Sequence, residues 1–220
     1  MNSTYIKTVL CSYFRFANGS KYVATEAGGF NSDVLAVKKG IVYEVEVKIS
    51  KADLSQDFKK DKHRIYETYN RSSGKYLYRH VPNYFYFAVP KELAEFALTK
   101  TLGTKYGVMV IIGENEAVMT DRRRHVGKNY VEKVLNEIKE DGGIITSVEE
   151  SRFGSNIFYK EKALPSWENR VRIVKRATKI HNDPASRELL FSLHSRTSSE
   201  LANLKIQNYL LKKGKQNGNT

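Results

Sequence analysis

The sequence predicts an α/β fold in which helices pack on a mixed central sheet. Three observations carry that expectation. Short apolar, β-branched runs recur at about 21–26, 33–38, 41–49, 84–89 and 107–112, each bounded by Gly, Pro or Asn turn signals. Segments of helical period separate several of these runs. The order is α-β-β-β-α-β, followed by further α and β elements, and strands interleaved with helices favour a mixed sheet over an all-helical or all-strand domain. A chain of 220 residues buries one good core and leaves material for an appendage.

Taken in order, residues 4–17 read as a helix, because Ile6, Val9, Leu10, Tyr13 and Phe14 recur at helical spacing behind Ser3 or Thr4 as N-cap. Asn18-Gly19-Ser20 breaks it, and three strands follow, the first two separated by Gly28-Gly29 and the last two joined by a hairpin at Lys39-Gly40. A helix then opens at Ser50, whose Ser50-Lys51-Ala52-Asp53 resembles a capping box, and is expected to run to about Tyr69. The dense aromatic run Tyr84-Phe85-Tyr86-Phe87-Ala88-Val89 reads as a buried strand, with Pro90 starting a short helix over 91–98. Strands at 107–112 and 116–120 and a helix over 128–140, stopped by Gly142-Gly143, complete a core of residues 1–145. From residue 151 onward 14 Lys and Arg face 5 Asp and Glu, so this part carries nine of the thirteen net positive charges. It reads as a basic helical extension over 151–212, with helices near 167–180, 185–195 and 198–212, and a disordered tail at 213–220.

A net charge of +13 spread along the chain favours a polyanionic partner, most readily nucleic acid, over a basic surface that serves solubility alone. No apolar run approaches the roughly 20 residues that span a bilayer, and no segment pairs a broad apolar face with a basic one, so no membrane partner is expected. The N-terminus has no basic stretch leading into an unbroken apolar segment, and the single cysteine, Cys11, excludes an internal disulfide and a cysteine metal cluster. A cytoplasmic protein is the expectation.

The chemistry concentrates in Glu26–Tyr66. Side chains alternate along a strand, so Glu44, Glu46 and Lys48 share one face and Val45, Val47 and Ile49 the other. Counting outward from the hairpin, Lys38 faces Ile41 and Asp33 therefore faces Glu46. Two carboxylates brought together repel unless a cation lies between them. Mg²⁺ or Mn²⁺, which take oxygen ligands, are the expected cations, with the Val47 carbonyl as a third ligand and Lys48 beside them to orient a water or stabilise phosphate charge. The alternative is a half-exposed strand with cross-strand ion pairs. Against it, the Asp33 strand is apolar on both faces, as a central strand is, and a further acid, Glu26, lies just ahead.

Asp33, twelve intervening residues and then Glu46-Val47-Lys48, in α-β-β-β-α-β order, resembles the PD-(D/E)XK nuclease superfamily. More narrowly, EVKISKADLSQDFKKDK is similar to the Glu-x-Lys-x-Ser-x-x-Asp-Phe-x-x-Asp pattern of MmcB-type DNA-repair nucleases and related phage proteins, and FYFAVP to the strand after their helix. The match covers about residues 20–92. It implies a restriction-endonuclease-like core and a metal-dependent endonuclease acting on DNA, with Asp33 and Glu46 as metal ligands and Lys48 as the catalytic lysine. Ser32 replaces the motif's proline and Leu54 its usual phenylalanine. The first helix lacks an acid sometimes contributed there, and Glu26 is the candidate to replace it. Some such families carry Gln-x-x-x-Tyr on the next helix; here Lys62-x-x-x-Tyr66 has that spacing, which suits contact with a phosphate and a base or, equally, a solvated helix face. His63 among lysines reads as surface.

Two more basic clusters are candidates for DNA. Arg122-Arg123-Arg124-His125, after a strand, suits phosphate clamping or a solvated loop. Arg170, Arg172, Lys175, Arg176 and Lys179 would line one face of a helix as a duplex-binding appendage, or that helix packs on the core or on a second subunit of a homodimer. A catalytically inactive nucleic-acid-binding protein of the same fold is the competing function, although a dead copy should lose at least one of Asp33, Glu46 and Lys48.

Overall fold

The structure, a computed structural model, describes residues 1–28, 31–69 and 81–196. It is a mixed α/β protein that divides into two compact units, one formed by Met1–Ile112 with the chain from Trp167 onward, the other by Gly113–Ser166.

In the first unit a helix α1 (Ser3–Ser12) continues as one π-helical turn (Tyr13–Ala17). Its N-cap is Asn2, not Ser3 or Thr4: the Asn2 side chain accepts the Tyr5 amide at 2.8 Å. Strands β1 (Tyr22–Ala27), β2 (Ser32–Lys38) and β3 (Ile41–Val47) follow as antiparallel neighbours, with Lys38 opposite Ile41 as the hairpin requires. Two short helices, α2 (Lys51–Asp57) and α3 (Asp61–Thr68), then cross to β4 (Tyr84–Pro90), parallel to β3. A 3₁₀ turn and α4 (Ala94–Lys100) cross to β5 (Gly107–Ile111), parallel to β4. Parallel neighbours need such crossovers, which is why the helices lie here. The sheet order is β1-β2-β3-β4-β5-β9, with β9 (Val171–Lys175) antiparallel to β5 at the edge.

The apolar residues of α1 (Ile6, Val9, Leu10) and Phe14 cover one face of the sheet, against Val34, Ala36, Val45, Val47, Ala88 and Met109. Leu54 of α2, Tyr66 of α3 and Ala97 of α4 pack with Phe85, Phe87 and Val108 in a second cluster. Residues 187–196 form a helix, α6, whose Leu189 and Leu193 pack on Leu35, Val37 and Val42. The second unit is a three-stranded antiparallel sheet, β6 (Val118–Val126), β8 (Gly154–Ala163) and β7 (Ile144–Ser151) in that spatial order, with α5 (Val131–Glu140) packed on it through Val134 and Ile138 against Val126 and Ile157.

Three expectations are corrected. The helix expected over 50–69 is two helices, broken at Phe58–Lys60, because Asp57 turns inward to a buried ion pair and Lys60 adopts an extended conformation (φ −71°, ψ 140°). Its expected stop at Ser72-Ser73-Gly74 lies outside the described residues. The segment 151–175 is not an α-helix: it holds the whole of β8, a 3₁₀ turn and the edge strand β9, because Val171, Ile173 and Val174 fit a pleated edge and β5 offers unpaired backbone to bond. Arg122–His125 do not follow a strand; they lie within β6, which is longer than the expected 116–120. The helix expected near 185–195 is present as α6. The helix at 198–212 and the tail at 213–220 lie outside the described residues. No described helix is long and apolar enough to cross a membrane.

Candidate functional site

The register of β2 on β3 ends at Val34 opposite Val45, so its next step would set Asp33 across from Glu46. There the ladder stops and a carboxylate takes over: Asp33 Oδ2 accepts the Val47 amide at 2.8 Å. An N–H and a C=O of one extended residue point to the same side. The Val47 carbonyl is therefore directed toward Asp33 as well. The sequence-predicted Asp33 carboxylate thus meets the Val47 backbone at the strand ends.

Lys7 of α1, a residue with no signal in the sequence, reaches the same place. Its ammonium pairs with Asp33 Oδ1 at 2.7 Å and with Glu26. Burial alone would lower the Lys7 pKa, but the bonds to Asp33 and Glu26 outweigh it and raise it. The β1–β2 register sets Glu26 opposite Asp33, although the two make no ladder pair. Glu26 has φ +48°, a left-handed conformation that disfavours a side chain, and Asn31 donates to its Oε2 at 3.3 Å. Lys7, which pairs with both, holds Glu26 beside Asp33.

Glu46 and Lys48 lie next to this group, and both are buried (4% and 3% exposed). Lys48 Nζ is 3.2 Å from Glu46 Oε2, 3.7 Å from Asp53 and 2.8 Å from Asp57 Oδ1. Lys62 of α3 donates to Glu46 Oε1 at 2.5 Å and to Glu44 Oε1 at 3.0 Å, and the Tyr66 hydroxyl donates to Glu44 Oε2 at 2.8 Å. Burial pushes the Glu46 carboxyl up, against the lowering pull of Lys62 and Lys48, and desolvation next to Glu44 pushes the Tyr66 phenol far above its ordinary range. Lys62 and Tyr66 are therefore core residues that neutralise and bond the two glutamates, not a helix face turned to solvent.

Three further residues join the site, and of these only Asp57, the last Asp of the pattern matched above, carried a signal in the sequence. Asp57 is fully buried, and its Oδ2 lies 2.9 Å from His63 Nε2. His63, expected at the surface, is 3% exposed, with Nδ1 3.0 Å from the Tyr106 hydroxyl. Lys60, half exposed, pairs with Asp57 and lies 4.0 Å from Glu46. Glu44 sits at strand spacing from Glu46, but Asp57 and His63 stand at neither helical nor strand spacing from Glu46 or Lys62, and only the packing of α2 and α3 on β3 reveals that they form one network.

Burial by itself would raise the Asp57 carboxyl, but the bonds from His63, Lys48 and Lys60 outweigh it and hold it far below the usual carboxylate range. A folded-state value below the unfolded one contributes stability that is complete above the unfolded pKa, about 4, and is lost as the pH falls through the depressed folded value. The stability difference between the wild type and Asp57→Asn, followed by urea unfolding, should therefore shrink as the pH is lowered from about 5 to about 2.

Of the two basic clusters, Arg122–Arg124 belong to the second unit and Arg172–Arg176 to the first. Arg122 and Arg124 lie on the α5 side of β6, paired with Glu161 at 2.8 Å and Glu137 at 3.4 Å, whereas Arg123 points the other way, to Asn156 and over the Phe158 ring. Alternation along a strand thus divides the triplet. Arg172 and Arg176 are exposed on or just beyond β9, and β4 and β5 separate that strand from β3. Lys175 is drawn onto the carbonyls of Thr101 and Thr104, and burial lowers its pKa. The residues expected on one helix face do not form one.

Asp33, Glu46 and the Val47 carbonyl are hard oxygen donors, the kind that Mg²⁺ and Mn²⁺ take. Each carboxylate here lies against an ammonium, Asp33 against Lys7 and Glu46 against Lys48 and Lys62. The donor set therefore suits a cation in kind. Among the described residues, no three His, Cys, Asp or Glu side chains converge as a metal-binding group.

No family's sequence profile matches the chain. No curated protein matches it either. Among solved structures the chain is similar to the SPO1766 protein of unknown function from Silicibacter pomeroyi, at 15% identity over 93% of this chain and 92% of that one, with a TM-score of 0.48.

Proposed function

We propose that this chain is a metal-dependent nuclease that hydrolyses phosphodiester bonds in DNA on a PD-(D/E)XK-like core. The observation that carries the reading is the meeting of Asp33 with the Val47 backbone at 2.8 Å, on strand ends where Lys48 stands 3.2 Å from Glu46. The order of the first unit, α-β-β-β-α-β once α2 and α3 are taken as one broken helix, and the net charge of +13 support it further.

Asp33, Glu46 and the Val47 carbonyl would hold Mg²⁺ or Mn²⁺, with Glu26 alongside. A cation bound there polarises a phosphoryl oxygen and lowers the pKa of a bound water. Lys48 supplies a fixed positive charge for the charge that develops on phosphate. Burial alone would lower its pKa, but Asp57, Glu46 and Asp53 outweigh that and keep it an ammonium. Half-exposed Lys60 and Asp53 form the rim nearest Glu46 and Lys48, so Lys60 is the group that meets an arriving phosphate.

One observation favours a second reading, a DNA-binding protein of this fold without hydrolysis. Glu46 and Lys48 are almost fully buried, and Lys7 and Lys62 already neutralise the carboxylates.

The two readings separate when the protein and its Asp33→Ala variant are incubated with supercoiled plasmid, linear duplex and branched DNA, with Mg²⁺, with Mn²⁺ or with EDTA. The nuclease reading expects metal-dependent cutting that Asp33→Ala abolishes. Tight binding without cutting selects the binding protein, and neither binding nor cutting removes both.

A further inference from the structure

We propose that Asp57, clamped by His63, is the positioning residue for the Lys48 ammonium. The inference rests on the hydrolytic reading above and assigns a role to a buried pair that the reaction itself does not use.

Lys48 stands just past the end of β3 on a flexible four-carbon stem, and nothing in the strand fixes its tip. Three carboxylates surround that tip, and they differ in rigidity. Asp53 is half exposed and 3.7 Å away. Glu46 is 3.2 Å away but shared with Lys62. Asp57 is the nearest, at 2.8 Å, and its side chain is wholly buried. An ionised carboxylate only accepts, so His63 Nε2 donates to Asp57 Oδ2 while Oδ1 is left to the ammoniums of Lys48 and Lys60.

His63 is fixed in turn. Its ring lies 5.5 Å from Phe58 and 5.3 Å from Phe85, and its Nδ1 is 3.0 Å from the Tyr106 hydroxyl, on a residue 1% exposed. Core aromatics therefore hold the imidazole, the imidazole holds Asp57, and Asp57 holds Lys48. The break between α2 and α3 makes this possible. It ends α2 at Asp57 and begins α3 two residues before His63, so both side chains face the core. Groups locked by packing and supporting hydrogen bonds hold a reacting group in place, and a displacement near 1 Å can lower a rate by as much as about 10²-fold.

The experiment is single-turnover DNA cleavage with enzyme in excess, for the wild type, Asp57→Asn, Lys48→Met and the double variant, with folding checked by thermal melting. Asp57→Asn should lower the maximal rate by about 10- to 100-fold and leave the half-saturating DNA concentration within about twofold. Introduced into Lys48→Met, it should change the rate by less than about twofold, because its effect passes through Lys48. His63→Gln serves if Asp57→Asn does not fold, and it should show a smaller loss with the same dependence on Lys48. Wild-type rates in Asp57→Asn, or an equal loss with and without Lys48, would overturn the proposal while leaving the nuclease reading standing. Absence of cutting by the wild type removes that reading and this inference with it.

Discussion

Replacing Lys62 with methionine should lower the folding stability by about 3–5 kcal/mol, the usual cost of removing one partner from a buried ion pair. The Lys62 ammonium is the shared counter-ion of Glu44 and Glu46, at 3.0 and 2.5 Å, and all three side chains are buried. Without it Glu44 keeps the Tyr66 hydroxyl but loses its ammonium, while Glu46 keeps Lys48 at 3.2 Å and half-exposed Lys60 at 4.0 Å. Methionine preserves most of the stem volume beside Phe85, so the loss reports charge and not a cavity. Urea unfolding measures it, and Glu44→Gln in the same background should recover part of the loss, because it removes the stranded charge. A Lys62→Met variant as stable as the wild type would mean that the network is far more hydrated than its burial indicates.

Replacing Lys48 with methionine should lower the cleavage rate by about 10²–10³-fold, the scale on which a single preorganised charge acts on a developing anion. The Mn²⁺ affinity, measured by calorimetry, should stay within a few-fold, because Lys48 is not among the oxygen donors, whereas Asp33→Ala should weaken it strongly. These two readouts separate a catalytic ammonium from a structural one. Lys48→Met leaves Asp57 to His63 and Lys60, so its stability loss should be smaller than that of Lys62→Met. Equal loss of metal affinity in both variants would show that Lys48 orders the ligands and does not act on the phosphate.

Much of the first unit was legible in the sequence because its rules are local. The Lys39-Gly40 turn has both residues at positive φ, so it sets the β2–β3 register, and that register alone carries Asp33 to the end of β3 near Glu46. Ser50 caps α2 as the capping pattern indicates, accepting the Asp53 amide at 3.1 Å. The 170s misled for a physical reason. Arg172, Lys175, Arg176 and Lys179 have helical spacing, but Val171, Ile173 and Val174 are β-branched, and the free edge of β5 decided between the two. The three arginines of β6 read as one cluster in sequence and point to two faces in the sheet.

The sequence by itself determined the run of α1, β1, β2 and β3 along the chain, the β2–β3 hairpin register and the shared face of Glu44, Glu46 and Lys48, because turns and strand alternation act over a few residues. Only the tertiary structure decided what those side chains face. Lys7 comes from α1 across one side of the sheet, and Lys62, Tyr66 and His63 come from α3 across the other. Their arrival depends on how each helix lays its apolar stripe on the sheet. That packing is set by the combined burial of Ile6, Leu10, Leu54 and Tyr66 against both faces, a sum over distant contacts that no local pattern encodes.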